Sequence, residues 1–517
     1  MKKGLIIISL ILVAAMAFAS GNAEAGSSSS TSQETTFVKG GTMTIATNQQ
    51  FNSMFNPYQA GNAVDWGWPC LETLGFQYPG QGWQLLLADS FDVDASSGLV
   101  TIGVKKGIKF HNGDTLDAED VAFSIQAWVD YGRGATIGNP SSVTVKDEYT
   151  VEVKYDVFSL NIQDWLLTAF IFSKTAFEEN GLDWMLTHMV GTGPYKMVGF
   201  TPDVSIEYER WDGYRDEYTK GPEKIKVLYI TEETTTLAAF LSGDVTFFKT
   251  TSAETVQQLN AYGFNPETMV GGTEFVHYAI PMTVVDGDPL CKKEVRQAIY
   301  LYGIDWDAYA YALLGDMGYH TDSIGAAGCP YYDESLEVSA VDREKAIKMI
   351  ADAGYPNGFS TTIYTGSNDV ASATIMQSEL KKINIDAKVE VLDMTILQNY
   401  MTGAEKVPGI IVFNLGFGTA QMDRFNKFYS YKGALSGCTN WSQEEKDLYD
   451  KAASALTQEE QNKYVYEYVK QFVQIDSDFW PVANATTKVA KQNDLSIAKD
   501  YFCGMRGMDP LAFSFIK

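Results

Sequence analysis

Apolar and polar residues alternate in two stretches near the start of the chain, and this period of two predicts strands. The first stretch is Thr42–Thr47, and the second is Leu99–Lys105, where every second residue is Val or Ile. The turn residues Ala95–Gly98 directly precede the second stretch. We therefore predict a hairpin whose returning strand is Leu99–Lys105.

Several later stretches place apolar residues three and four positions apart, which is the period of a helix. The first follows Asp117, whose carboxylate can cap the helix, and it carries Val121 and Ile125 on one face. Further helices are predicted over Val341–Ala353, Ala373–Asn384 and Glu459–Gln474, with a strand over Ala387–Leu392. Because helices and strands are interleaved, the class is α/β or α+β.

The N-terminus has the pattern of a secretory signal. Lys2 and Lys3 precede an apolar run from Leu5 to Ala19, and small residues follow. The run is shorter than the roughly 20 residues that cross a bilayer, which favours removal over retention as an anchor. We predict a signal peptide over residues 1–25 and a flexible linker over 26–41. The protein is then periplasmic or extracytoplasmic.

Composition and charge exclude several classes of partner. The chain has 517 residues and a formal net charge of −26, which disfavours nucleic acid and anionic membranes as partners. The five Cys contain no C-x-x-C pair, and the four His form no recognisable ligand set. We therefore expect no metal and no cofactor. The sequence leaves the pairing of the Cys open.

Catalytic motifs with a fixed spacing do not occur. We find no H-E-x-x-H, no G-x-S-x-G and no Walker loop. A glycosidase carboxylate pair needs no local motif, so an exported carbohydrate-active hydrolase with an unrecognised carboxylate pair is an alternative function. His111, the one His of Gly103–Ile125, is interpreted as a structural residue rather than a catalyst.

Six segments, taken in order, resemble the extracellular solute-binding proteins of the peptide/opine/nickel class, family 5, which are the receptors of ABC-type importers. The first carries F-H-N-G and A-E-D-V, the second G-T-G-P-Y, and the third has Thr246 where the family usually has Asp. The segments are Lys105–Ile125, Val190–Met197, Leu241–Phe248, Cys291–Asp305, Asp342–Phe359 and Met376–Val391. Their shared order makes the resemblance specific.

The resemblance implies an α/β, periplasmic-binding-protein-like fold with two hinged lobes and an inserted subdomain. Mapped onto this chain, lobe 1 comprises 42–83, 191–283 and 485–517, the inserted subdomain 84–190, and lobe 2 284–484. A solute would close the lobes, and the closed form would dock on an ABC permease in the membrane. We expect a monomer. A receptor-like sensor or chaperone that never meets a permease is a further alternative.

The resemblance also places the ligand contacts on two loops. They are Asn62, Asp65, Trp66 and Trp68 on the first loop, and Gly416, Phe417, Gly418, Thr419 and Asp423 on the second. Ala420 stands where peptide receptors of the family carry the Asp that pairs with a peptide α-ammonium. An unpaired buried ammonium costs several kcal/mol, so a free peptide N-terminus is disfavoured unless Asp423 or Asp65 pairs with it.

Two ligand classes follow from these loops. One is an oligopeptide bound mainly through its backbone, and the other is an oligosaccharide stacked on Trp66, Trp68 and Phe417. The alternative for each Trp is packing in the core. The sequence does not identify the ligand or its affinity.

Overall fold

Helices and strands alternate along the chain in the structure, a computed structural model. It describes residues 37–38, 40–51, 53–54, 66–77, 83–131, 134–157, 159–215, 221–324, 336, 340–416, 429–497 and 513–516. The alternation confirms the predicted α/β class. The predicted signal peptide, 1–25, and most of the linker lie outside the described residues. No helix within these ranges is both long and apolar enough to cross a membrane.

The described residues contain twenty strands. They are β1 (Phe37–Val38), β2 (Thr42–Thr47), β3 (Gly75–Gln77), β4 (Trp83–Leu85), β5 (Ala88–Asp94), β6 (Leu99–Val104), β7 (Ser142–Asp147), β8 (Thr150–Lys154), β9 (Tyr195–Thr201), β10 (Ser205–Arg210), β11 (Lys224–Tyr229), β12 (Phe247–Thr250), β13 (Glu267–Met282), β14 (Gly318–Tyr319), β15 (Phe359–Thr365), β16 (Ile385–Val391), β17 (Gly409–Gly416), β18 (Trp480–Lys491), β19 (Leu495–Ile497) and β20 (Phe513–Ile516). The predicted strand Thr42–Thr47 is exact, and β5 and β6 form the predicted hairpin.

The α-helices of the same residues pack on the sheets. They are α1 (Ala118–Asp130), α2 (Asn161–Leu167), α3 (Lys174–Asn180), α4 (Leu182–Met185), α5 (Glu233–Ser242), α6 (Ala253–Ala261), α7 (Lys293–Gln297), α8 (Trp306–Leu314), α9 (Arg343–Asp352), α10 (Val370–Lys381), α11 (Met394–Thr402), α12 (Gln443–Ser454) and α13 (Gln458–Val469). Wider π-turns extend α7 through Ala298–Gly303 and α13 through Lys470–Ile475. Short 3₁₀ turns occur at Gly134–Ile137, Pro289–Cys291, Gly315–Met317 and Ser367–Asp369.

Local signals explain where the predicted helices begin and end. The Asp117 carboxylate accepts hydrogen bonds from two backbone amides of the first turn of α1, and the Asp120 side chain completes a capping box. Helix α9 begins after Asp342, which caps it, and is followed by Gly354 with φ +104°. The predicted helix Glu459–Gln474 is α13 together with its π-turn extension.

A large mixed sheet organises the molecule. Its strand order is β16-β15-β17-β13-β18-β12-β2-β11-β10-β9, with β14 paired to β18. Strand β15 runs parallel to both β16 and β17, whereas β13 is antiparallel to β17 and β18. A separate antiparallel sheet, β5-β6-β8-β7, falls within the segment predicted as the inserted subdomain.

Buried apolar side chains form separate cores on two different groups of strands of the large sheet. The large core contains residues from Val276 to Ala483, and the small core contains Met43, Ile45 and Val227 among others. A third core, between Leu74 and Ile171, lies under the four-stranded sheet. Strand β18 connects the first two cores, because Trp480–Ala483 belongs to the large core and Val489 to the small core. We call residues 484–488 the crossing segment.

Candidate ligand-binding site

Strands β15 and β17 run parallel, with Thr365, the last residue of β15, beside Val412, and β17 continues past this point to Gly416. In open α/β sheets, ligands bind outside the carboxyl ends of the parallel strands. The second predicted ligand loop begins at the end of β17, because Gly416 is its first residue. This edge of the large sheet is therefore the candidate site.

Three polar side chains meet at this edge, and we call them the Asp369 cluster. His277 on β13 lies directly opposite Asn414 on β17, and Asp369 precedes α10. The Asn414 Nδ2 atom donates to Asp369 Oδ1 at 2.7 Å, and His277 Nδ1 lies 3.4 Å from the same oxygen. The His277 side chain is 13% exposed and that of Asp369 is 8% exposed.

Asp369 occupies the N-cap position of α10 but does not cap the helix. Its side chain makes no hydrogen bond to the first turn, although Asp is one of the best N-cap residues. The carboxylate is instead turned toward Asn414 and His277. The carboxylate therefore lies at the sheet edge instead of capping the helix.

Exposed apolar side chains follow the neighbouring strand. Met394 begins α11 just after β16 and is 54% exposed, and Val391 and Ile396 beside it are also exposed. The Met394 thioether lies so close to Gly366 that a Cβ atom there would approach Sδ to 3.2 Å. The edge thus combines one carboxylate with an apolar flank.

The crossing segment contributes a second set of polar groups. Asn484 is fully buried, and within the described chain neither its Oδ1 nor its Nδ2 atom has a hydrogen-bond partner. The Thr487 hydroxyl is buried and unpaired in the same described region. Buried polar groups are almost always hydrogen-bonded, so two such groups on one strand are unusual.

The structure separates the predicted ligand contacts. Asn62, Asp65, Phe417, Gly418, Thr419 and Asp423 lie outside the described residues. Trp66 is buried in the small core, and its carbonyl accepts a hydrogen bond from the Tyr208 hydroxyl at 2.5 Å. Trp68 is half-buried and packs edge-on against Phe170 at 5.9 Å. Gly416 pairs with Phe275 of β13 at the candidate edge.

A buried acidic cluster is the place where described carboxylates could hold a metal ion. Ligand oxygens of Glu445, Asp476 and Asp478 lie within 4.8 Å of one another. Cations of the chain already occupy the surroundings: Arg296 Nη2 lies 2.8 Å from Asp478 Oδ1, and Lys293 Nζ lies 3.0 Å from Asp476 Oδ1. Because these two side chains neutralise the carboxylates, we assign the cluster to stability.

A model of the bacterial extracellular solute-binding proteins, family 5, middle region, matches residues 83–436. The chain belongs to this family. The match confirms the resemblance inferred from the motifs. One relative of this family-5 protein is the glutathione-binding protein GsiB of Pectobacterium atrosepticum, 25% identical over 322 residues. That alignment covers 60% of this chain and 60% of the length of GsiB.

Solved structures share the fold of this family-5 protein. The ABC transporter substrate-binding protein CtaP of Listeria monocytogenes superposes with a TM-score of 0.80 at 19% identity, covering 92% of this chain and 99% of CtaP. The periplasmic binding protein DppA of Helicobacter pylori, in complex with the peptide STSA, gives 0.73 at 22% identity, covering 92% and 98%. These likenesses confirm the two-lobed, periplasmic-binding-protein-like fold; the mapped lobe boundaries stay a prediction.

Two of the family motifs contact each other. His111, from F-H-N-G, has its Nε2 atom 2.9 Å from the Gly193 carbonyl of G-T-G-P-Y, and its Nδ1 atom 3.6 Å from Cys70 Sγ. Burial lowers the pKa of His111 to about 4 and raises the pKa of the Cys70 thiol to about 12. Because a thiol and a neutral imidazole are not an activated nucleophile pair, this contact is structural.

Glu72 ties the first predicted ligand loop to G-T-G-P-Y. Its buried carboxylate accepts hydrogen bonds from Thr192 and Tyr214 and a bidentate pair from Arg215, with both guanidinium distances 2.7 Å. Bidentate pairs of this kind fix geometry as well as adding energy. The network anchors the chain a few residues beyond Trp68.

No sequence motif singles out the Asp369 cluster. Its one local signal is Ser-Asn-Asp ahead of the predicted helix Ala373–Asn384, which is also the ordinary pattern of an N-cap. His277 and Asn414 come from other strands, so no spacing along the chain relates them to Asp369.

Proposed function

We propose that this protein is the substrate-binding receptor of an ABC-type importer. It captures an oligopeptide in the cleft between its lobes and delivers it to a membrane permease. The observation that carries the proposal is the Asp369 cluster at the carboxyl edge of the parallel strands, in a family-5 fold. The lobes close on the solute as hinged bodies.

A peptide fits the candidate edge better than an oligosaccharide does. A carboxylate accepts hydrogen bonds from amide or ammonium groups, and the exposed Met394 beside it suits apolar side chains. Oligosaccharides need exposed aromatic faces, whereas the Trp66 ring is packed in the small core. The peptide bound by the Helicobacter pylori relative and the glutathione named for GsiB agree with this preference.

Export, the monomeric state and docking on the permease are proposed from the sequence. Residues 1–25 act as a signal peptide, and the mature chain is periplasmic or extracytoplasmic. It works as a monomer without a cofactor and docks on its permease in the closed form.

A hydrolase receives less support. The carboxyls of Glu445 and Asp478 lie close together, but both are fully or almost fully buried and Asp478 is paired with Arg296, so a substrate cannot reach them. The relatives are substrate-binding proteins. We therefore propose binding without turnover.

Thermal-shift measurements and calorimetry test the receptor function. The ligands are tri-alanine, penta-alanine and reduced glutathione, compared with maltotriose and cellotriose. A ligand that binds only the native state adds about 2.7 kcal/mol to stability at a hundredfold excess over Kd. We expect at least one peptide to raise the melting temperature and to be recovered intact. Stabilisation by the sugars alone, or cleavage of the ligand, would contradict the proposal.

A further inference from the structure

Two Asp–His pairs lie in the same half of the molecule, and their hydrogen bonding differs. In the first pair, Asp322 Oδ1 accepts from the Tyr300 hydroxyl at 2.7 Å and lies 3.2 Å from His320 Nε2. Its second oxygen accepts from Gln474 at 2.6 Å. Both oxygens of Asp322 are used, and its side chain is 2% exposed. This pair is a closed structural network.

The second pair, Asp369 and His277, is open. Both contacts of Asp369 are to Oδ1, and Oδ2 has no hydrogen-bond partner among the residues that the structure describes. Within those residues, no Lys or Arg lies within ion-pair distance of this carboxylate. A carboxylate that is largely removed from water is costly unless it is paired and hydrogen-bonded.

Asp369 is at the N-cap position of α10, but its side chain does not cap the helix. Turned toward the first turn of α10, the side chain would cap backbone amides, and such caps stabilise helices by about 1 kcal/mol. A hydrogen bond from Asn414 instead holds it at the sheet edge beside His277, where the side chain keeps 8% of its exposure. The carboxylate is thus fixed in position with one oxygen available.

We propose that Asp369 is the acidic anchor for an ammonium group of the ligand, such as the α-ammonium of a peptide. Asn414 is a positioning residue that orients the carboxylate through its hydrogen bond, and His277 lies beside the same oxygen. The ammonium donates to the available oxygen, and it brings a cation to a carboxylate that has no Lys or Arg at ion-pair distance among the described residues. This inference rests on the proposed peptide receptor.

Calorimetry with paired ligands tests the anchor. The ligands are tri-alanine, penta-alanine and reduced glutathione, each with a free and with an acetylated amino group. Acetylation removes the ammonium charge and leaves the rest of the peptide unchanged. We expect the wild type to bind at least one free peptide about tenfold or more tightly than its acetylated form, because charged pairs held in a site contribute strongly to binding.

Two variants at the anchor separate binding from folding. Asp369→Asn keeps the shape and the acceptor for Asn414 but loses the charge, so the preference for the free amine should disappear. Asp369→Ser can cap α10, and we expect it to lose the same preference while unfolding at an equal or higher temperature. Asp322→Asn is the matched control, and it should lower the melting temperature yet keep the preference.

Each outcome bears on a different conclusion. If the wild type binds peptides but Asp369→Asn keeps the preference for the free amine, the anchor is wrong and the receptor function stands. A wild type that binds both forms equally also refutes the anchor. Failure of the wild type to bind any of these peptides would refute the receptor function and the anchor with it.

Discussion

Glu445 is a buried carboxyl group that takes part in the cap at the start of helix α12. Its Oε2 atom accepts from the Ser442 amide at 2.7 Å, and the Ser442 hydroxyl accepts from the Glu445 amide, which closes a capping box on α12. Burial, and then the neighbouring Asp478, raise its pKa to about 8. Burial also raises the pKa of Asp478 to about 7, against the opposing effect of Arg296. Burial thus favours the protonated form of both adjacent acids.

We predict that Glu445→Gln is more stable than the wild type at high pH. The folded protein keeps a proton on Glu445 up to about pH 8, whereas the ordinary value is 4.5. The native state therefore binds more protons between these values, and the free energy of unfolding falls as pH rises through that window. Gln keeps the capping box and cannot ionise. Urea unfolding should show similar stability at pH 5 and a gain of about 1 kcal/mol or more at pH 8.5.

The control for this prediction is Glu460→Gln. Glu460 has the equivalent position in the first turn of α13 but is exposed, so its replacement should leave the pH dependence of stability unchanged. Parallel pH profiles for Glu445→Gln and the wild type would show that Glu445 does not hold the proton.

At the scale of elements, α1 shows how a local signal sets a boundary. The Asp117 carboxylate accepts from the amides of Glu119 and Asp120 at 2.8 and 3.4 Å. We predict that Asp117→Ala lowers the free energy of unfolding by about 1 kcal/mol. Asp130→Ala, at the opposite end of α1, should change it by less than about 0.5 kcal/mol. Denaturant unfolding followed by circular dichroism measures both, and equal effects would argue against the cap.

Strand β18 shows the opposite case, in which the fold buries a polar side chain that would ordinarily face solvent. Asn484 lies on β18 between Ala483 of the large core and Val489 of the small core. Its side-chain amide is buried and has no hydrogen-bond partner in the described chain. We predict that Asn484→Leu raises the free energy of unfolding of the ligand-free protein by about 1–2 kcal/mol, because an unpaired buried amide is removed. The exposed Asn260→Leu is the control. Destabilisation of Asn484→Leu would mean that the amide is paired in solution.

At the scale of the whole molecule, two strands carry the connection between the cores. Strand β13 pairs with β18 from Ala279↔Trp480 to Glu267↔Val489, with shifts of register between Thr268 and Thr273 and again before Val276. Bulges and shifts of this kind weaken the ladder locally and let strands bend. They lie where the proposed lobes meet, which suits a hinge.

Small-angle X-ray scattering tests closure of the proposed lobes. We expect a saturating free peptide from the panel above to lower the radius of gyration of the wild type, because the ligand stabilises the closed form. The Asp369→Ser variant should need about tenfold or more peptide to reach the same compaction. Compaction without ligand dependence, or none in a wild type that binds the peptide, would exclude hinge closure as the response.

Local patterns predicted much of the fold and little of the candidate site. The strand Thr42–Thr47 and the Asp117 cap could be predicted from residues adjacent in the chain, because alternation and capping act within one strand or one helical turn. The predicted helix Ala373–Asn384 begins at Val370 instead, because the 3₁₀ turn Ser367–Asp369 leads directly into it. Trp66 is a predicted ligand contact, and its ring packs in the small core. Residue type alone does not distinguish a Trp that is buried from one that lines a cleft.

The sequence by itself determined the alternation of helices and strands, the export pattern and the family motifs, because each depends on residues close together in the chain. Only the tertiary structure decided the strand order of the large sheet, the course of β18 between two cores and the meeting of His277, Asp369 and Asn414. These features depend on the register of strands distant in sequence. Register is set by the packing of whole faces, which no short stretch of the chain contains.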